Sequence, residues 1–378
     1  TMGVGSCVLG YADPDVNEKV KDAIDRGSMS TLNSYEEIEL AERLVGLHPW
    51  SDMVRFSRTG GEVCSIAVRI ARAYTKKDKV LFCGYHGWHD WYLSSNIEDP
   101  SNLNQQLLSG LSSDGVASNL ASTAFPFKYN DLDSFKSLVS KHKGQIAAVI
   151  MEPMRGSSPA PDYLEAIRAI TEEENIVLIF DEITSGFRVN LGGVHMEYGV
   201  YPDIAVFGKA LGNGFPISAV VGKSQVMDAA QGTFVSSTFW TERVGFTAAL
   251  ATLEKYEKNE VHLHLIESGE MINKAWSGLA ELTGIDISIC GLTPLTHIDF
   301  NYPNAACLQT IYTQEMLKNG HLLGSSVYTT HAYDGDVLRK FHDDTLAAFK
   351  TIKEAIDSGR PEGFLISDIK HSGFQRLT

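Results

Sequence analysis

The feature that most constrains the fold is a series of short, uninterrupted apolar runs. They lie in the strand candidates 79–82, 147–151, 176–180, 204–207 and 218–221, and helical stretches separate most of these candidates. Only the first residues of two candidates, Lys79 and Ser218, are not apolar. A strand with one face in water alternates apolar and polar residues, whereas a continuous apolar run indicates a strand that is buried on both faces. The sequence therefore predicts an α/β fold with a large, mostly parallel sheet covered by helices.

The regular alternation of strands and helices stops near residue 259. A long amphipathic helix is expected over 262–282, followed by strands at 286–290 and 295–300 and by two further helices. This order is typical of an α+β unit, so we expect a second domain from about residue 259 onward.

Composition restricts the classes of partner and the cellular location. The net charge of -15 argues against binding to nucleic acid or to an anionic membrane surface. Five scattered cysteines without metal-type spacing indicate reduced thiols and a cytoplasmic protein. We expect neither a membrane span nor a signal peptide, although the opening Thr1-Met2-Gly3 suggests that some preceding sequence is missing.

Lys209 is the strongest candidate for a catalytic residue. It directly follows Gly208 and the apolar run 204–207, and it precedes a turn that contains Gly212 and Gly214. A buried lysine is unfavourable unless its charge is paired, its pKa falls or its amine is used covalently. The glycines allow a bulky group to approach the backbone, so we expect Lys209 to form a Schiff base.

Two predicted strands end in carboxylates, where α/β folds bind their ligands. Asp181 and Glu182 follow the run 176–180, and Glu152 follows the run 147–151. A buried aspartate requires a positively charged partner, which a ligand can supply. A helix cap or a structural ion pair is the alternative role.

Two loops add possible binding groups. The turn Thr59-Gly60-Gly61 precedes a predicted helix, whose N-terminal amides favour a phosphate, although such strand-to-helix turns are also common without one. Tyr85 and its neighbours, residues 84–90, can stack on a planar ligand or simply form an aromatic-rich packed loop. A metal-dependent hydrolase site is the remote alternative, and its ligands would be His86, His89 and Asp90 with Asp181 and Glu182.

Together these features describe a pocket for pyridoxal phosphate. The lysine would bind the aldehyde, the aspartate the pyridinium nitrogen, the glycine turn the phosphate and the aromatic side chain one face of the ring. In such enzymes the cofactor accepts electrons, and the protein positions it and tunes its ring nitrogen.

The motifs in this region resemble those of the class III aminotransferases, and within them the glutamate-1-semialdehyde aminomutase type. The similar segments are residues 181–189, 192–193, 198–203 and 208–209. The resemblance implies the type I fold of pyridoxal enzymes, with a large cofactor-binding domain over 46–258. It also implies a smaller domain formed by 259–378 together with the N-terminal segment 1–45.

The resemblance also implies roles for individual residues. Lys209 would carry the cofactor as a Schiff base and transfer protons, while Asp181 would pair with the pyridinium nitrogen. The other cofactor-binding residues would be Thr59, Gly60, Gly61, Tyr85, His86 and Ile183. Thr238 matches the threonine that reaches the phosphate of the neighbouring subunit, so a homodimer with shared active sites is expected.

The sequence departs from the family pattern in three places. The phosphate turn reads Thr59-Gly60-Gly61 where the family has Ser-Gly-Thr, and Thr241-Glu242-Arg243 replaces the usual Gly-Asn-Pro. Val4 replaces an aromatic residue that lines the substrate pocket of the aminomutases. We expect Glu152, Arg243 and Val4 to contact substrate, and we expect the added charge at 242–243 to alter substrate choice.

The expected activity is the transfer of an amino group between an amino donor and a carbonyl substrate, as an aminotransferase or an aminomutase. Decarboxylation, epimerisation or chemistry on an amino-sugar precursor is the alternative on the same fold.

Overall fold

The structure is a computed structural model that describes residues 2–106, 108–154, 156–371 and 373. The outer ends of the expected smaller domain, residue 1 and residues 374–378, lie outside the described residues. The strands are β1 (Met53–Ser57), β2 (Lys79–Cys83), β3 (Ala124–Pro126), β4 (Ile146–Met151), β5 (Val177–Asp181), β6 (Ile204–Phe207), β7 (Ser218–Gly222), β8 (Ile287–Cys290) and β9 (His297–Phe300). The helices are α1 (Pro14–Asp25), α2 (Tyr35–Leu47), α3 (Gly60–Thr75), α4 (Asp90–Leu93), α5 (Leu132–Lys141), α6 (Tyr163–Glu173), α7 (Ser224–Met227), α8 (Arg243–Lys258), α9 (Val261–Thr283), α10 (Ala305–Lys318) and α11 (Gly335–Asp357).

Seven strands form the main sheet, in the order β1-β7-β6-β5-β4-β2-β3. Strand β7 is antiparallel to both its neighbours, and the remaining pairs are parallel. Every residue of β4, β5 and β6 is buried, as expected for strands that are covered on both faces. The prediction of an α/β fold with a large, mostly parallel sheet is confirmed.

Helices cover both faces of this sheet. Along β5, Val177 and Ile179 pack in a cluster with α3, while Leu178 and Phe180 pack on the opposite face with α5 and α6. A third cluster joins α1, α2 and α8 to β1, β6 and β7. This packing fixes the carboxyl ends of the parallel strands at one edge of the sheet, where the candidate site lies.

Strand β3 was not predicted. It has three residues, of which only Ala124 is buried, and it pairs with β2 at the edge of the sheet. The polar segment before it forms short 3₁₀ turns, as at Asn102–Gln105 and Ser118–Leu120. The residues of β3 are apolar, but the strand is only three residues long and ends in Pro126, a residue that argues against a strand except at a sheet edge.

Strands β8 and β9 form a separate two-stranded antiparallel sheet, which packs with α9, α10 and α11. In their common core, the Trp276 Nε1–H donates a hydrogen bond of 2.9 Å to the Tyr312 hydroxyl. The N-terminal segment contacts both parts of the molecule, because α1 and α2 pack on α8 while the Val8 carbonyl accepts bonds from Thr330 and His331. The division into 1–45, 46–258 and 259–378 stays a prediction.

None of the helices in the described residues combines the length and the apolarity that a membrane crossing requires.

Candidate active site

One cleft lies at the carboxyl ends of β2, β5 and β6, beside the turn that joins β1 to α3. Its volume is about 680 Å³, within the range of sites for small molecules and cofactors. Eight of the predicted site residues line it: Thr59, Gly60, Gly61, Tyr85, His86, Asp181, Ile183 and Lys209. The fold thus brings together residues that are up to 150 positions apart in the sequence (59 and 209).

The Asp181 carboxylate is held by donors from three different elements. Its Oδ2 accepts a hydrogen bond of 2.7 Å from His86 Nδ1 and one of 3.4 Å from Cys64 Sγ, while its Oδ1 accepts the Ile183 N–H at 3.0 Å. Burial, together with the adjacent carboxylate, raises the pKa of the Cys64 thiol well above its usual value, so the sulfur keeps its proton and donates it. Asp181 therefore has a fixed orientation at the end of β5.

His86 is buried and lines the cleft, and its Nε2 has no hydrogen-bond partner within the described part of the chain. Its Nδ1 faces a carboxylate, so that nitrogen carries the proton in the neutral ring. Sequence reasoning assigned His86 but missed Cys64. A signal was available, because Cys64 lies one helical turn after Gly60 and therefore on the same face of α3.

Lys209 enters the cleft from an unusual backbone conformation. Its φ is +40°, in the left-handed region that non-glycine residues rarely adopt, and its Nζ donates a hydrogen bond of 2.8 Å to Thr184 Oγ1. Such strained residues persist where the surrounding structure holds them, and they concentrate at functional sites. Thr184 lies in the segment 181–189 that resembles the family, but the sequence alone indicated no role for it.

The glycines of the turn at 59–61 and of the loop at 84–90 are needed for the packing of the chain itself, whether or not a ligand is bound. A Cβ on Gly87, whose φ is +99°, would lie 2.6 Å from the Gly61 Cα, and a Cβ on Gly60 would lie 3.2 Å from Ile183 Cδ1. The two loops therefore approach each other closely at glycines. The first-turn amides of α3, a helix of 16 residues, lie beside this contact and favour an anion.

The donor set of the cleft fits pyridoxal phosphate. Lys209 supplies an amine, Asp181 an oriented carboxylate and the N-terminus of α3 a site for a phosphate group, all lining one cavity. Ile183 and Tyr85 supply apolar and aromatic walls. These are the groups that the cofactor's aldehyde, ring nitrogen, phosphate and ring faces require.

The remaining predicted residues do not line this cleft within one chain. Thr238 is exposed, although its neighbours Ser237 and Phe239 reach the cleft. Glu152 lines an adjacent cavity of about 500 Å³, where a Cβ on Gly84 would lie 2.7 Å from its Oε2. Val4 has 68% of its surface exposed. Their contacts with substrate or with a second subunit stay predictions.

Arg243 and Glu242 are engaged in the chain's own packing. Glu242 accepts hydrogen bonds from the Val244 and Gly245 amides and so caps α8, while Arg243 Nε lies 3.1 Å from Glu36 Oε2. Their charges are therefore compensated within the chain. The expectation that the charge at 242–243 alters substrate choice stays a prediction.

Sequence reasoning missed two large residues of the cleft, Arg58 and Trp240. Arg58 Nη2 donates to the Trp240 and Glu242 carbonyls at 3.1 and 2.7 Å, and Trp240 Nε1 donates to Glu62 Oε1 at 3.0 Å. These bonds connect parts of the chain that are about 180 residues apart, so no local pattern could have indicated them.

The hydrolase alternative requires His86, His89 and Asp90 to converge. His86 does face Asp181, which the alternative also includes, but the His89 ring lies against Gly61, whose Cβ would be 2.8 Å from its Nδ1. Across the described residues, the possible metal ligands at this cleft group as Cys64, His86 and Asp181, without His89 or Asp90. The geometry gives this alternative no support.

The sequence matches a known family over most of its length. Residues 1–332 match the family described as aminotransferase class III. The 3-aminobutyryl-CoA aminotransferase of Cloacimonas acidaminovorans is 30% identical over 361 residues, which cover 93% of this chain and 82% of that protein. The glutamate-1-semialdehyde 2,1-aminomutase of Methanothrix thermoacetophila is 35% identical over 367 residues, which cover 92% of this chain and 84% of that protein.

Solved structures share the fold. An omega-transaminase from Sphaerobacter thermophilus superposes with a TM-score of 0.83 at 25% identity, over 92% of this chain and 85% of its own. The FumI protein of Sphingopyxis sp. MTA144, solved as its pyridoxal phosphate internal aldimine, superposes with a TM-score of 0.85 at 24% identity, over 96% of this chain and 86% of its own. The predicted type I fold is confirmed.

Proposed function

The chain belongs to the class III aminotransferases, a family of pyridoxal phosphate enzymes that transfer amino groups, and on that premise we propose that Lys209 and Asp181 perform its chemistry. The substrates would be a small amine or amino acid and a carbonyl compound. The observation that carries this assignment is the single cleft in which the Lys209 amine and the oriented Asp181 carboxylate meet the N-terminus of α3.

The cofactor supplies an aldehyde carbon that amines attack and a ring that accepts the electrons of the broken bond. Asp181 would hold the protonated ring nitrogen, and the donors His86 and Cys64 keep its carboxylate oriented. Lys209 would bind the aldehyde and later move a proton at its Nζ, with Thr184 Oγ1 positioning that atom. The amides at the start of α3 would hold the phosphate, with Thr59 beside them.

Borohydride reduction of the purified protein tests the role of Lys209. We expect visible absorption that borohydride bleaches, with the cofactor then found on the Lys209 peptide by mass spectrometry. Lys209→Ala should retain less cofactor and should lose the covalent label. A label on any other lysine would overturn the assignment.

Substrate cycling separates transamination from the other reactions of this fold. An amino donor alone should remove the visible absorption in one half-turnover, and a carbonyl acceptor should restore it. An aminomutase would instead complete turnovers with one substrate. Release of carbon dioxide, or loss of chirality without amino transfer, would indicate decarboxylation or epimerisation.

We also propose that the protein is a homodimer with shared active sites. Phe234 and Phe239 are 84% and 64% exposed. Arg55 and Arg69 donate hydrogen bonds to the Val235 and Phe234 carbonyls and so hold the start of this segment. A fixed, apolar and exposed segment beside Thr238 is typical of an interface.

Mixing Lys209→Ala chains with Thr238→Ala chains tests the shared sites. Activity should recover in the mixture, because one of the two sites in a mixed dimer then has both native residues. No recovery would contradict shared sites.

A cytoplasmic location is the remaining proposal. All five cysteines are free thiols, and four of them are buried, which suits a reducing compartment. Fractionation of cells that produce the tagged protein should recover it in the cytosolic fraction, and its recovery outside that fraction would contradict the proposal.

A further inference from the structure

A second cluster of reactive side chains lies away from the cleft, on the hairpin β8–β9. Cys290 pairs directly with His297 across the two strands, and Asp299 lies two residues further along β9. Ile298 and Phe300 point into the core of this unit, so His297 and Asp299 occupy the opposite face. Asp299 is 62% and His297 28% exposed, which gives a cation in solution access to them.

The three side chains present one ligand atom each. Cys290 Sγ lies 2.6 Å from His297 Nε2 and 3.7 Å from Asp299 Oδ2, and the last two atoms are 3.5 Å apart. Tetrahedral zinc with ordinary bond lengths separates a sulfur from a nitrogen by about 3.6 Å, a nitrogen from an oxygen by about 3.4 Å and a sulfur from an oxygen by about 3.6 Å. The distances from Asp299 Oδ2 to Cys290 Sγ and to His297 Nε2 already agree with these values. The distance between Cys290 Sγ and His297 Nε2 is too short, and the Cys290 side chain would rotate outward to lengthen it.

The backbone beside the cluster makes room for the imidazole. Gly291 has a φ of +98°, and a Cβ there would lie 2.9 Å from the Leu295 carbonyl oxygen and 3.2 Å from His297 Nδ1. Gly291 also donates its N–H to the Gly156 carbonyl at 3.1 Å. The positions of Cys290 and His297 are thus set by a tight loop with external support.

We propose that Cys290, His297 and Asp299 bind one zinc-type divalent cation, whose fourth position is open to water. A thiolate, an imidazole and a carboxylate are ligands that zinc takes in proteins, whereas calcium and magnesium prefer oxygen alone. A nucleophilic cysteine is the competing role, but these side chains lie on an outer face of a two-stranded sheet and not in a substrate cleft.

The bound cation would stabilise this part of the fold. A two-stranded sheet is only marginally stable by itself, and a cation that joins both strands resists their separation. Binding to the folded chain alone raises stability in proportion to the logarithm of the cation concentration. The proposal is independent of the amino-transfer chemistry, because none of the three residues lines the active-site cleft.

Cobalt titration of the holoenzyme tests the site. Cobalt in a thiolate site absorbs at wavelengths longer than the cofactor does, so the active site need not be emptied. We expect one cobalt per chain, displaced by zinc, and an upward shift of the melting temperature with zinc. Cys290→Ser should lose the band and the shift, and Asp299→Asn should weaken binding by about tenfold or more.

Cys307→Ala is the matched control, because Cys307 belongs to the same unit but is buried in its core. This variant should bind cobalt as the unchanged protein does. The proposal is overturned if the unchanged holoenzyme takes up no stoichiometric cobalt or zinc. It is also overturned if Cys290→Ser keeps the band, or if zinc fails to protect Cys290 from alkylation.

Discussion

Asp181 and Glu182 are adjacent acids that serve different neighbours. Asp181 faces the cleft, whereas Glu182 Oε1 accepts hydrogen bonds from the His195 amide and Nδ1 at 2.9 and 2.8 Å. Ser185 donates to the other oxygen of Glu182. Because adjacent residues at a strand end point to opposite sides, one acid is available to a ligand and the other holds the fold.

The first prediction compares these two acids. Asp181→Asn removes the charge that would pair with the ring nitrogen, so amino transfer should fall by roughly 10² to 10³-fold with the fold intact. Glu182→Gln should keep activity per bound cofactor but lower the free energy of unfolding by about 1–3 kcal/mol. Steady-state rates and urea unfolding distinguish the two. Equal losses of activity would contradict the separation of roles.

The second prediction concerns pH and His48. This ring is buried, donates from Nδ1 to the Leu44 carbonyl and lies near His195 and Glu182. Burial lowers its pKa from 6.5 to about 4. Between these values the unfolded chain binds a proton that the folded chain does not, so stability is present above pH 6.5 and is lost as the pH falls towards 4, by up to about 3 kcal/mol.

His48→Asn removes this titration and can still donate to the Leu44 carbonyl. Urea unfolding of this variant at several pH values should show a shallower loss between pH 6.5 and 4. The exposed His342 provides the control, and His342→Asn should keep the original slope. An unchanged slope in the His48 variant would contradict the prediction.

At the level of elements, the turn after β6 determines how Lys209 is presented. Lys209 and Asn213 both have positive φ, at +40° and +43°. The Asn213 side chain accepts the Leu9 amide at 2.8 Å and donates to the Gly10 carbonyl at 3.3 Å. The N-terminal segment therefore supports the conformation of the lysine turn, a contact between residues more than 200 positions apart.

The third prediction concerns the start of α8. Glu242 caps this helix, so Glu242→Ala should lower the free energy of unfolding by about 1 kcal/mol. Because the side chain bonds within its own chain, the preference among amino donors should not change. Glu254→Ala, on the exposed side of the same helix, should have almost no effect on stability. A change of substrate preference with unaltered stability would favour the original expectation for residues 241–243.

At the level of the whole molecule, the exposed segment around Phe234 is the clearest candidate for contact between subunits. The fourth prediction is that Phe234→Asp weakens self-association roughly 100-fold, because a charge is introduced into an apolar contact. Sedimentation should then report one chain in place of two, with less cofactor retained. Leu282→Asp is the control, since Leu282 is 70% exposed on α9. Dissociation by both variants, or by neither, would contradict this assignment.

The sequence by itself determined the positions of most strands and two residues of the site, because both leave local patterns and an order of motifs. Continuous apolar runs located β6 at the observed residues and β4, β5 and β7 within one residue of theirs, since burial on both faces leaves few polar positions. The apolar runs and the family motifs also singled out Lys209 and Asp181, which the structure brings to one cleft and whose roles stay a proposal. The edge strand β3 was missed because it is only three residues long and ends in a proline.

Only the tertiary structure decided which side chains share a contact. Several hydrogen bonds depend on how the sheet brings strand ends and loops together. They join Cys64 to Asp181, Lys209 to Thr184, and Arg58 to the Trp240 carbonyl. The same holds for the contact of Arg243 with Glu36, about 200 residues earlier in the chain, whereas its expected role towards substrate stays a prediction. A sequence pattern reports the burial of a position, whereas a partner that is a hundred residues away is fixed only by the folded chain.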